Sequence, residues 1–374
     1  MLCEADAITL FHYWQGSFKQ IPDIMPGFND KLSDKRSKHM KPTRLDTVDR
    51  RFSVAPMMDF TDRYCRYFHR LLSRHTLLYT EMITTGAILH GDSHQHLKIN
   101  TCEHPIALQL GGSNPVELAL SCKQAARYHY DEINLNCGCP SDRVQSGQFG
   151  ATLMKTPKLV AECFKSMQDA VEIPVTIKHR IGVDDMESYP FLQDFVGSVA
   201  NVGCKTFIVH ARKAWLKGLS PKQNREIPPL DYETVYQLKR DFPDLEIILN
   251  GGITTLDEAE AHMQYLDGVM VGREAYHNPY ILSEVDRRFY HDNTLPPTRT
   301  QVLEQFTEFM ASHLENSELN PKLRLNHMTR HILGLYQGMP GARKFRRFIS
   351  ENAHKPGADI DVIYDALSAM NLPC

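Results

Sequence analysis

The sequence lacks several features that would define its class at once. No apolar run approaches the roughly 18–20 residues that a membrane-spanning helix needs, and the first residues lack the basic, apolar and small-residue regions of a secretory signal. Cysteine is scarce, with 9 residues among 374 and no framework-like spacing, which favours free thiols in a reducing compartment over a disulfide scaffold. We therefore expect a cytoplasmic protein with no membrane segment. We also expect a monomer, although nothing in the composition bears on the number of subunits.

A strong excess of positive charge is also absent, because the formal net charge is −3. This argues against a protein that coats nucleic acid by bulk electrostatics. The charge is unevenly distributed, however, since residues 322–347 contain no Asp or Glu, and we predict a local basic surface that suits a polyanion. The basic residues of this stretch are Lys322, Arg324, Arg330, Arg343, Lys344, Arg346 and Arg347.

Short β-rich runs alternate with longer stretches of helical periodicity. The runs are nearly continuous apolar segments, which is typical of buried parallel strands. Eight βα units over roughly 230 residues predict a closed (β/α)₈ TIM barrel, with a doubly wound open sheet as the competing fold. The runs cover residues 52–57, 77–82, 106–110, 131–137, 173–178, 206–211, 246–251 and 267–272.

Polar and small residues follow these runs at or just past their carboxyl ends, where barrel active sites are built. This common placement favours the barrel over the open sheet. The residues concerned are Met57, Gln109, Cys139, Lys178, His210, Asn250 and Gly272.

The chain divides into three predicted parts. Residues 1–48 have poor periodicity and are predicted to be a disordered extension, and residues 49–290 form the barrel. Two adjacent prolines at 296–297 then make a stiff break, after which residues 298–374 form a small helical domain. Amphipathic helices are predicted over residues 299–315, 322–337, 342–354 and 359–370.

Two glycine-containing turns follow the last two runs. They read Asn250-Gly251-Gly252 and Gly272-Arg273. In barrels these turns commonly bind phosphate, because glycines let backbone N–H groups approach the anion and an arginine adds a bidentate contact. The alternative is that the glycines merely permit tight turns.

Lys178 ends the fifth run and is predicted to point toward the barrel mouth, as do Gln109 and His210. Its ammonium group suits an electron-rich, anionic ring such as reduced flavin, or a Schiff base as in barrel aldolases, while a solvated rim residue is the plain alternative. The amide of Gln109 donates and accepts hydrogen bonds, which suits the edge of a pyrimidine-like ring.

Cys137 and Cys139 end the fourth run on either side of a glycine. No other His or Cys cluster lies near enough in sequence to complete a zinc site, so we predict no metal. We expect one of the two thiols to face the pocket. A free thiol is mostly protonated at neutral pH and can donate a proton, whereas an inert buried cysteine is the ordinary alternative.

Long, ordered motifs then carry a family resemblance over about residues 50–370. They are APMMDFTDRYCR, LLYTEMITTGA, LQLGG, NLNCGCPSDRVQSGQFGA, HARKAWLKGLSPKQNREIPPLDY, NGGI and GVMVGREAY. The chain resembles the tRNA-dihydrouridine synthases, and their A subfamily in particular. The resemblance implies FMN at the barrel mouth, NADPH as the reductant, and reduction of the uridine 5,6 double bond at positions 20 and 20a of the tRNA D-loop.

The resemblance also implies residue roles. The catalytic acid falls on Cys139, and the family pattern more often has a small apolar residue where Cys137 stands. Flavin contacts fall on Pro56, Met57, Met58, Gln109, Lys178, His210, Asn250, Gly251, Gly252, Gly272 and Arg273. Contacts to tRNA fall on Asn136, Lys222, Arg225, Arg343 and Arg346.

Three other functions stay open at this point. One is a flavin barrel that acts on a small molecule, like the dihydroorotate dehydrogenases, which would not need the basic stretch. Another is a Schiff-base aldolase that uses Lys178. The third is a non-catalytic RNA-binding module, which would bind tRNA without oxidising NADPH.

Overall fold

The computed structural model describes residues 48–141, Val144, 147–315 and 322–370. Apart from Val48, the predicted extension 1–48 lies outside the described residues. The described chain contains one parallel eight-stranded sheet in the order β1-β8-β7-β6-β5-β4-β3-β2. Its strands are β1 Phe52–Val54, β2 Leu78–Thr84, β3 Ile106–Gly111, β4 Glu132–Cys137, β5 Val175–Arg180, β6 Thr206–His210, β7 Glu246–Asn250 and β8 Gly268–Val271.

The sheet closes on itself between its first two strands. A parallel bridge joins Ser53 to Leu77, and the backbone N–H of Leu77 donates to the carbonyl of Phe52 at 3.1 Å. The (β/α)₈ barrel predicted from the eight apolar runs is therefore confirmed. Lys178 does not end the fifth strand, however, because Arg180 still pairs in register with His210 on β6.

Helices alternate with the strands and cover the outside of the barrel. Capping residues fix where several begin: Asn114 accepts two backbone N–H bonds ahead of Pro115, and Thr255 with Glu258 forms a capping box. The helices are α1 Arg63–Leu72, α2 Thr85–His90, α3 Ser93–Leu97, α4 Pro115–Ala125, α5 Pro157–Gln168, α6 Tyr189–Ala200, α7 Tyr232–Asp241, α8 Leu256–Met263, α9 Arg273–His277, α10 Val285–Tyr290, α11 Arg299–Glu315, α12 Leu325–Thr329, α13 Ala342–Asn352 and α14 Asp361–Met370.

Side chains on the two faces of the strands form separate cores. The outward-facing ones pack with the helices in a large apolar cluster, while the barrel interior holds a smaller one. The interior cluster comprises Ala55, Leu77, Tyr79, Ala107, Ile208, Ile248 and Met270.

A buried ionic layer closes the amino-terminal end of the barrel. The guanidinium of Arg50 donates to Glu132 at 2.6 Å and to Glu246 at 2.9 Å. Hydroxyls of Tyr79 and Thr206 also donate to these carboxylates. Because each carboxylate has several partners, the layer meets the main condition for burying charge.

The carboxyl-terminal helices pack on the outside of the barrel. The ring of Tyr67 on α1 stacks on Phe309 of α11 with centroids 3.7 Å apart. The predicted helix 322–337 is wrong in extent, because only α12 is α-helical and turns follow it. The division into domains at residues 290–298 stays a prediction. In the described part of the chain, no helix is long and apolar enough to cross a membrane.

Candidate active site at the carboxyl ends of the strands

Most of the predicted site residues lie together at one end of the barrel. Gln109, Asn136, Lys178, His210 and Asn250 are carried by five consecutive strands, at or near their carboxyl ends. Neighbouring pairs share register, as Asn136 does with Lys178 and His210 with Asn250. In a parallel barrel these ends meet at a single face, so the strands bring the side chains to one mouth.

Lys178 is partly buried, and its amine is held by a side chain of β7. Its Nζ donates to Oδ1 of Asn250 at 2.9 Å, and Nδ2 of Asn250 donates to the carbonyl of Met270 at 2.8 Å. Burial, reinforced by the charge of Arg180, lowers the pKa of Lys178 to about 7. A bound anion would favour the charged amine, so the site suits a negatively charged ligand.

Arg180 is a site residue that the sequence analysis missed. Its Nε donates to the carbonyl of Gly138 at 2.9 Å, and one terminal nitrogen donates to the carbonyls of Lys213 and Asn224 at 3.0 Å. It therefore joins the loop after β4 to the loop after β6. The strand alternation contains the signal, because Arg180 stands two positions after Lys178 and shares its face.

His210 is partly buried and lies near several cations. Burial, followed by the charges of Arg180 and Lys178, lowers the pKa of His210 well below its ordinary value. The imidazole is therefore neutral at physiological pH and can donate or accept a hydrogen bond. The adjacent turn needs glycine, because Gly251 has a φ of +117° and a Cβ there would lie 2.8 Å from the His210 ring.

The loop after β4 presents Cys139. Oδ1 of Asn136 accepts from the backbone N–H groups of Gly138 and Cys139 at 3.0 and 2.9 Å. The carbonyl of Cys139 accepts from the N–H of Ala151 at 2.9 Å, and its partly exposed Sγ lies 3.5 Å from Oγ of Ser141. The loop is thus fixed from both sides while the thiol stays accessible.

Cys137 differs from Cys139 in surroundings. It is fully buried and belongs to the apolar cluster between strands and helices. Burial raises the pKa of Cys137 well above its ordinary value, and its neighbours Cys163 and Cys204 add to the effect. Of the two thiols, Cys139 therefore lies at the mouth and Cys137 is inert in the core, as expected for one pocket-facing and one buried cysteine.

The remaining predicted flavin contacts lie on the turns after β1, β7 and β8. Met58 is half exposed, and the N–H of Met57 donates to Oγ1 of Thr61 at 3.0 Å. Gly272 faces Met57, since a Cβ there would lie 3.8 Å from its Sδ. Arg273 is ion-paired with Glu226 at 2.8 Å.

Gly252 also requires its glycine. It has a φ of +77°, and a Cβ at this position would meet Leu230 at 2.4 Å and the Tyr232 hydroxyl at 2.5 Å. That hydroxyl donates to the carbonyl of Gly251 at 3.0 Å. Close approach of the following loop therefore explains the second glycine.

The basic residues predicted to contact tRNA lie in two places. Exposed Lys222 and half-buried Arg225 are on the loop after β6. Arg343 and Arg346 are on α13, where they line a groove of about 600 Å³ and Arg346 donates to Gln337 at 2.6 Å. Asn136, also predicted as a tRNA contact, is 8% exposed, and both ends of its amide are engaged within the protein.

One group of described side chains has the spacing of a metal site, away from the predicted residues. It consists of His75, Asp286 and Asp292. Both oxygens of Asp286 accept hydrogen bonds from the turn at Ser73–His75, and Asp292 bonds to Thr294 and His75. Capping of local turns accounts for these carboxylates without an ion.

The fold and the site define a (β/α)₈ barrel with a candidate active site of amides, cations and one accessible thiol at its carboxyl-terminal mouth. The model of the family described as "Dihydrouridine synthase (Dus)" matches residues 53–371. The chain belongs to the dihydrouridine synthase family.

Close relatives are also found among curated proteins. A protein of Shewanella oneidensis is 60% identical over 316 residues, which cover 84% of this chain and 92% of the relative. One of Escherichia coli K12 is 60% identical over 318 residues, covering 85% and 90% of the two chains. Both are named tRNA-dihydrouridine(20/20a) synthase.

Among solved structures, the chain is similar to an old yellow enzyme homologue from Zymomonas mobilis. The sequences are 11% identical, with a TM-score of 0.47, and the similarity covers 68% of this chain and 94% of that one.

Proposed function

We propose that the protein reduces uridine to dihydrouridine at positions 20 and 20a of the tRNA D-loop, with FMN as cofactor and NADPH as reductant. The observation that carries the proposal is the accessible Cys139 thiol, held at the mouth by Asn136 on a loop that Arg180 also binds. The relatives of 60% identity bear the name of this activity and these positions.

The polar groups at the mouth fit FMN. Lys178 offers an amine balanced between its charged and neutral forms, and the neutral His210 offers a hydrogen bond. Gln109 supports the site from inside the barrel, where its amide is bonded to Asn134 and Asn136. Asn250 orients Lys178, and the turns Gly251-Gly252 and Gly272-Arg273 suit the phosphate. Met57 lies beside Gly272, and Pro56 and Met58 are its neighbours in the chain. FMN reduced by NADPH would supply the hydride that uracil C6 receives.

Cys139 completes the reduction as the general acid. Its thiol gives a proton to C5 of the uracil, and the thiolate that remains lies near the positive charges of Lys178, Arg180 and Arg225. A base in a folded tRNA reaches this loop only after extrusion from its stack, which costs a few kcal/mol that binding of the RNA must offset.

Four basic residues hold the RNA outside the pocket. Lys222 and Arg225 beside the mouth, and Arg343 and Arg346 on α13, bind phosphates and so set which nucleotide enters. Asn136 contributes less directly, because its amide is engaged in fixing the Cys139 loop.

Replacement of Cys139 tests the proposal. We expect Cys139→Ala to keep bound FMN and NADPH oxidation with a small electron acceptor, and to form no dihydrouridine in tRNA. Cys137→Ala is the matched control, because that buried thiol faces the helices and its loss should leave dihydrouridine formation intact. Loss of flavin from Cys139→Ala, or dihydrouridine formation at the wild-type rate, would contradict the role given to Cys139.

A further inference from the structure

We propose that Thr176 and Asn134, inside the barrel, are positioning residues that hold the Cys139 loop through a one-directional relay of hydrogen bonds. The relay begins at the buried carboxylate of Glu132 and ends at the backbone of Cys139. The side chains between them do not take part in the proton transfer from Cys139. The inference rests on the proposed function, in which Cys139 is the acid.

The relay begins in the ionic layer at the amino-terminal end. Glu132 is fully buried, and its Oε2 accepts from Arg50 at 2.6 Å. Its Oε1 accepts from the hydroxyls of Tyr79 at 2.5 Å and Thr176 at 2.6 Å. An ion-paired carboxylate offers only acceptors, so the proton of the Thr176 hydroxyl points to Glu132 and its lone pairs point up the barrel.

Two amides carry this direction toward the mouth. Nδ2 of Asn134 donates to Oγ1 of Thr176 at 2.9 Å, which leaves Oδ1 of Asn134 to accept from Nε2 of Gln109 at 2.8 Å. These three residues are register neighbours on β3, β4 and β5 and form one layer of the interior. Gln109 and Asn134 are at most 1% exposed.

The relay ends at the Cys139 loop. Oε1 of Gln109 accepts from Nδ2 of Asn136 at 2.9 Å, so Oδ1 of Asn136 is the atom that faces the loop. That oxygen accepts from the N–H groups of Gly138 and Cys139. At the upper end, the N–H groups of the Cys139 loop need an acceptor. At the lower end, Glu132 needs a donor. The amides of Asn134, Gln109 and Asn136 meet both needs only in the orientation described.

Because each hydrogen bond of the relay orients the next, the Thr176 hydroxyl influences the position of the distant Cys139 loop. Without its hydroxyl, Nδ2 of Asn134 loses its acceptor at a fully buried position, and turning the amide over would put like groups against each other along the relay. The acceptor that holds the two N–H groups of the loop is then no longer fixed. The thiol spends less time where it can protonate C5, while phosphate contacts outside the pocket remain.

Two matched pairs of variants isolate the hydroxyl. The wild-type threonine and the valine of Thr176→Val have nearly the same shape, and Thr176→Ser and Thr176→Ala differ by the hydroxyl alone, so one pair serves if a member of the other does not fold. We expect kcat for dihydrouridine formation to fall about tenfold in Thr176→Val and Thr176→Ala, the effect of losing one buried hydrogen bond. KM for tRNA should be unchanged, and Thr176→Ser should be close to wild type.

A second measurement does not depend on activity. Hydrogen exchange of the flavin-loaded protein, read by mass spectrometry on the peptide 136–141, should show faster exchange at Gly138 and Cys139 in Thr176→Val and Thr176→Ala but not in Thr176→Ser. The relay would be overturned if Thr176→Val and Thr176→Ala kept wild-type kcat and exchange, or if Thr176→Ser were as impaired as Thr176→Ala. Dihydrouridine formation by Cys139→Ala at the wild-type rate would instead overturn the proposed function on which it rests.

Discussion

At the residue scale, Lys178 is a lysine whose charged form is disfavoured by its surroundings. Its partly buried side chain lies near the neutral His210 and the cationic Arg180, and its amine donates to Asn250. Burial and Arg180 lower the pKa of Lys178 to about 7, from about 10.5 in the unfolded chain. The pocket therefore disfavours this cation until an anion arrives.

This gives a pH-dependent prediction for the flavin-free protein. Between pH 7 and pH 10 the unfolded chain holds a proton on Lys178 that the folded chain has lost, so this group makes the free energy of unfolding rise with pH across that interval. Lys178→Met removes the dependence. Denaturant unfolding should find the variant more stable than the wild type at pH 6.5, by on the order of a few kcal/mol, with the difference shrinking toward pH 10.

The comparison with the wild type removes contributions of other groups that titrate in the same interval. Lys178→Arg is a suitable control, because it keeps a permanent cation and should lower stability across the whole interval. The measured quantity is the unfolding free energy of Lys178→Met minus that of the wild type. If this difference were no larger at pH 6.5 than at pH 10, the disfavoured charge on Lys178 would be contradicted.

Much of the site follows from sequence, because barrel geometry gathers every strand end at one face. Gln109, Lys178, His210 and Asn250 were predicted on that ground and meet at the mouth. Arg180 was missed because the fifth strand was expected to end at Lys178, two residues early. The direction of the Asn134 amide was beyond prediction, since it depends on partners from β3 and β5 that are remote in sequence.

At the element scale, the start of α1 joins the barrel to the carboxyl-terminal helices. Asp62 caps α1 by accepting from the N–H groups of Tyr64 and Cys65, and it is paired with Arg330 and His331. Although burial opposes its ionisation, the hydrogen bond from His331 and nearby positive charge lower the pKa of Asp62 to about 2. Burial lowers the pKa of His331, so Arg330 supplies the charge at neutral pH.

Replacing Asp62 by Asn should separate capping from charge. Asn caps helices as well as Asp does, so the loss reports the ion pair, which we expect to reach about 2 kcal/mol of unfolding free energy at pH 7. A carboxylate with a lowered pKa contributes above its unfolded pKa of about 3.8, and the contribution is lost as the pH falls through that value toward 2. Chemical denaturation at pH 7 and pH 3 measures the difference.

Asp62→Ala is the matched variant, since it removes the cap as well and should cost about 1 kcal/mol more at both pH values. An effect of Asp62→Asn that is equal at pH 7 and pH 3 would show that shape, and not charge, links α1 to the segment of Arg330.

Secondary structure could be predicted where the periodicity of the sequence determines it. It could not be predicted where tertiary contacts determine it. The eight strands lie within a few residues of the predicted runs. The helix predicted over 322–337 ends at α12, and in the turns that follow it Gly334 lies against the carbonyl of His277, where a Cβ would be 2.3 Å from the oxygen. The pairing of Arg330 with Asp62 fixes the same turns, and none of these partners is close in sequence.

At the scale of the whole molecule, the two ends of the barrel have different tasks. The amino-terminal end holds the ionic layer of Arg50, Glu132 and Glu246, and the carboxyl-terminal end holds the site. The interior amides connect the ends, so part of the stabilising layer also orients the Cys139 loop.

The distribution of charge matches this division. The net charge is −3, yet the residues proposed to bind tRNA are basic and lie beside the mouth and on α13. Phosphate contacts from these local regions provide affinity without a basic protein overall.

The most direct test of the central claim is a map of dihydrouridine in tRNA from cells that lack this gene and have no redundant enzyme. We expect the modification to disappear at positions 20 and 20a, to return with the wild-type chain, and to stay absent with Cys139→Ala. Unchanged dihydrouridine at both positions in the deleted cells would contradict the account.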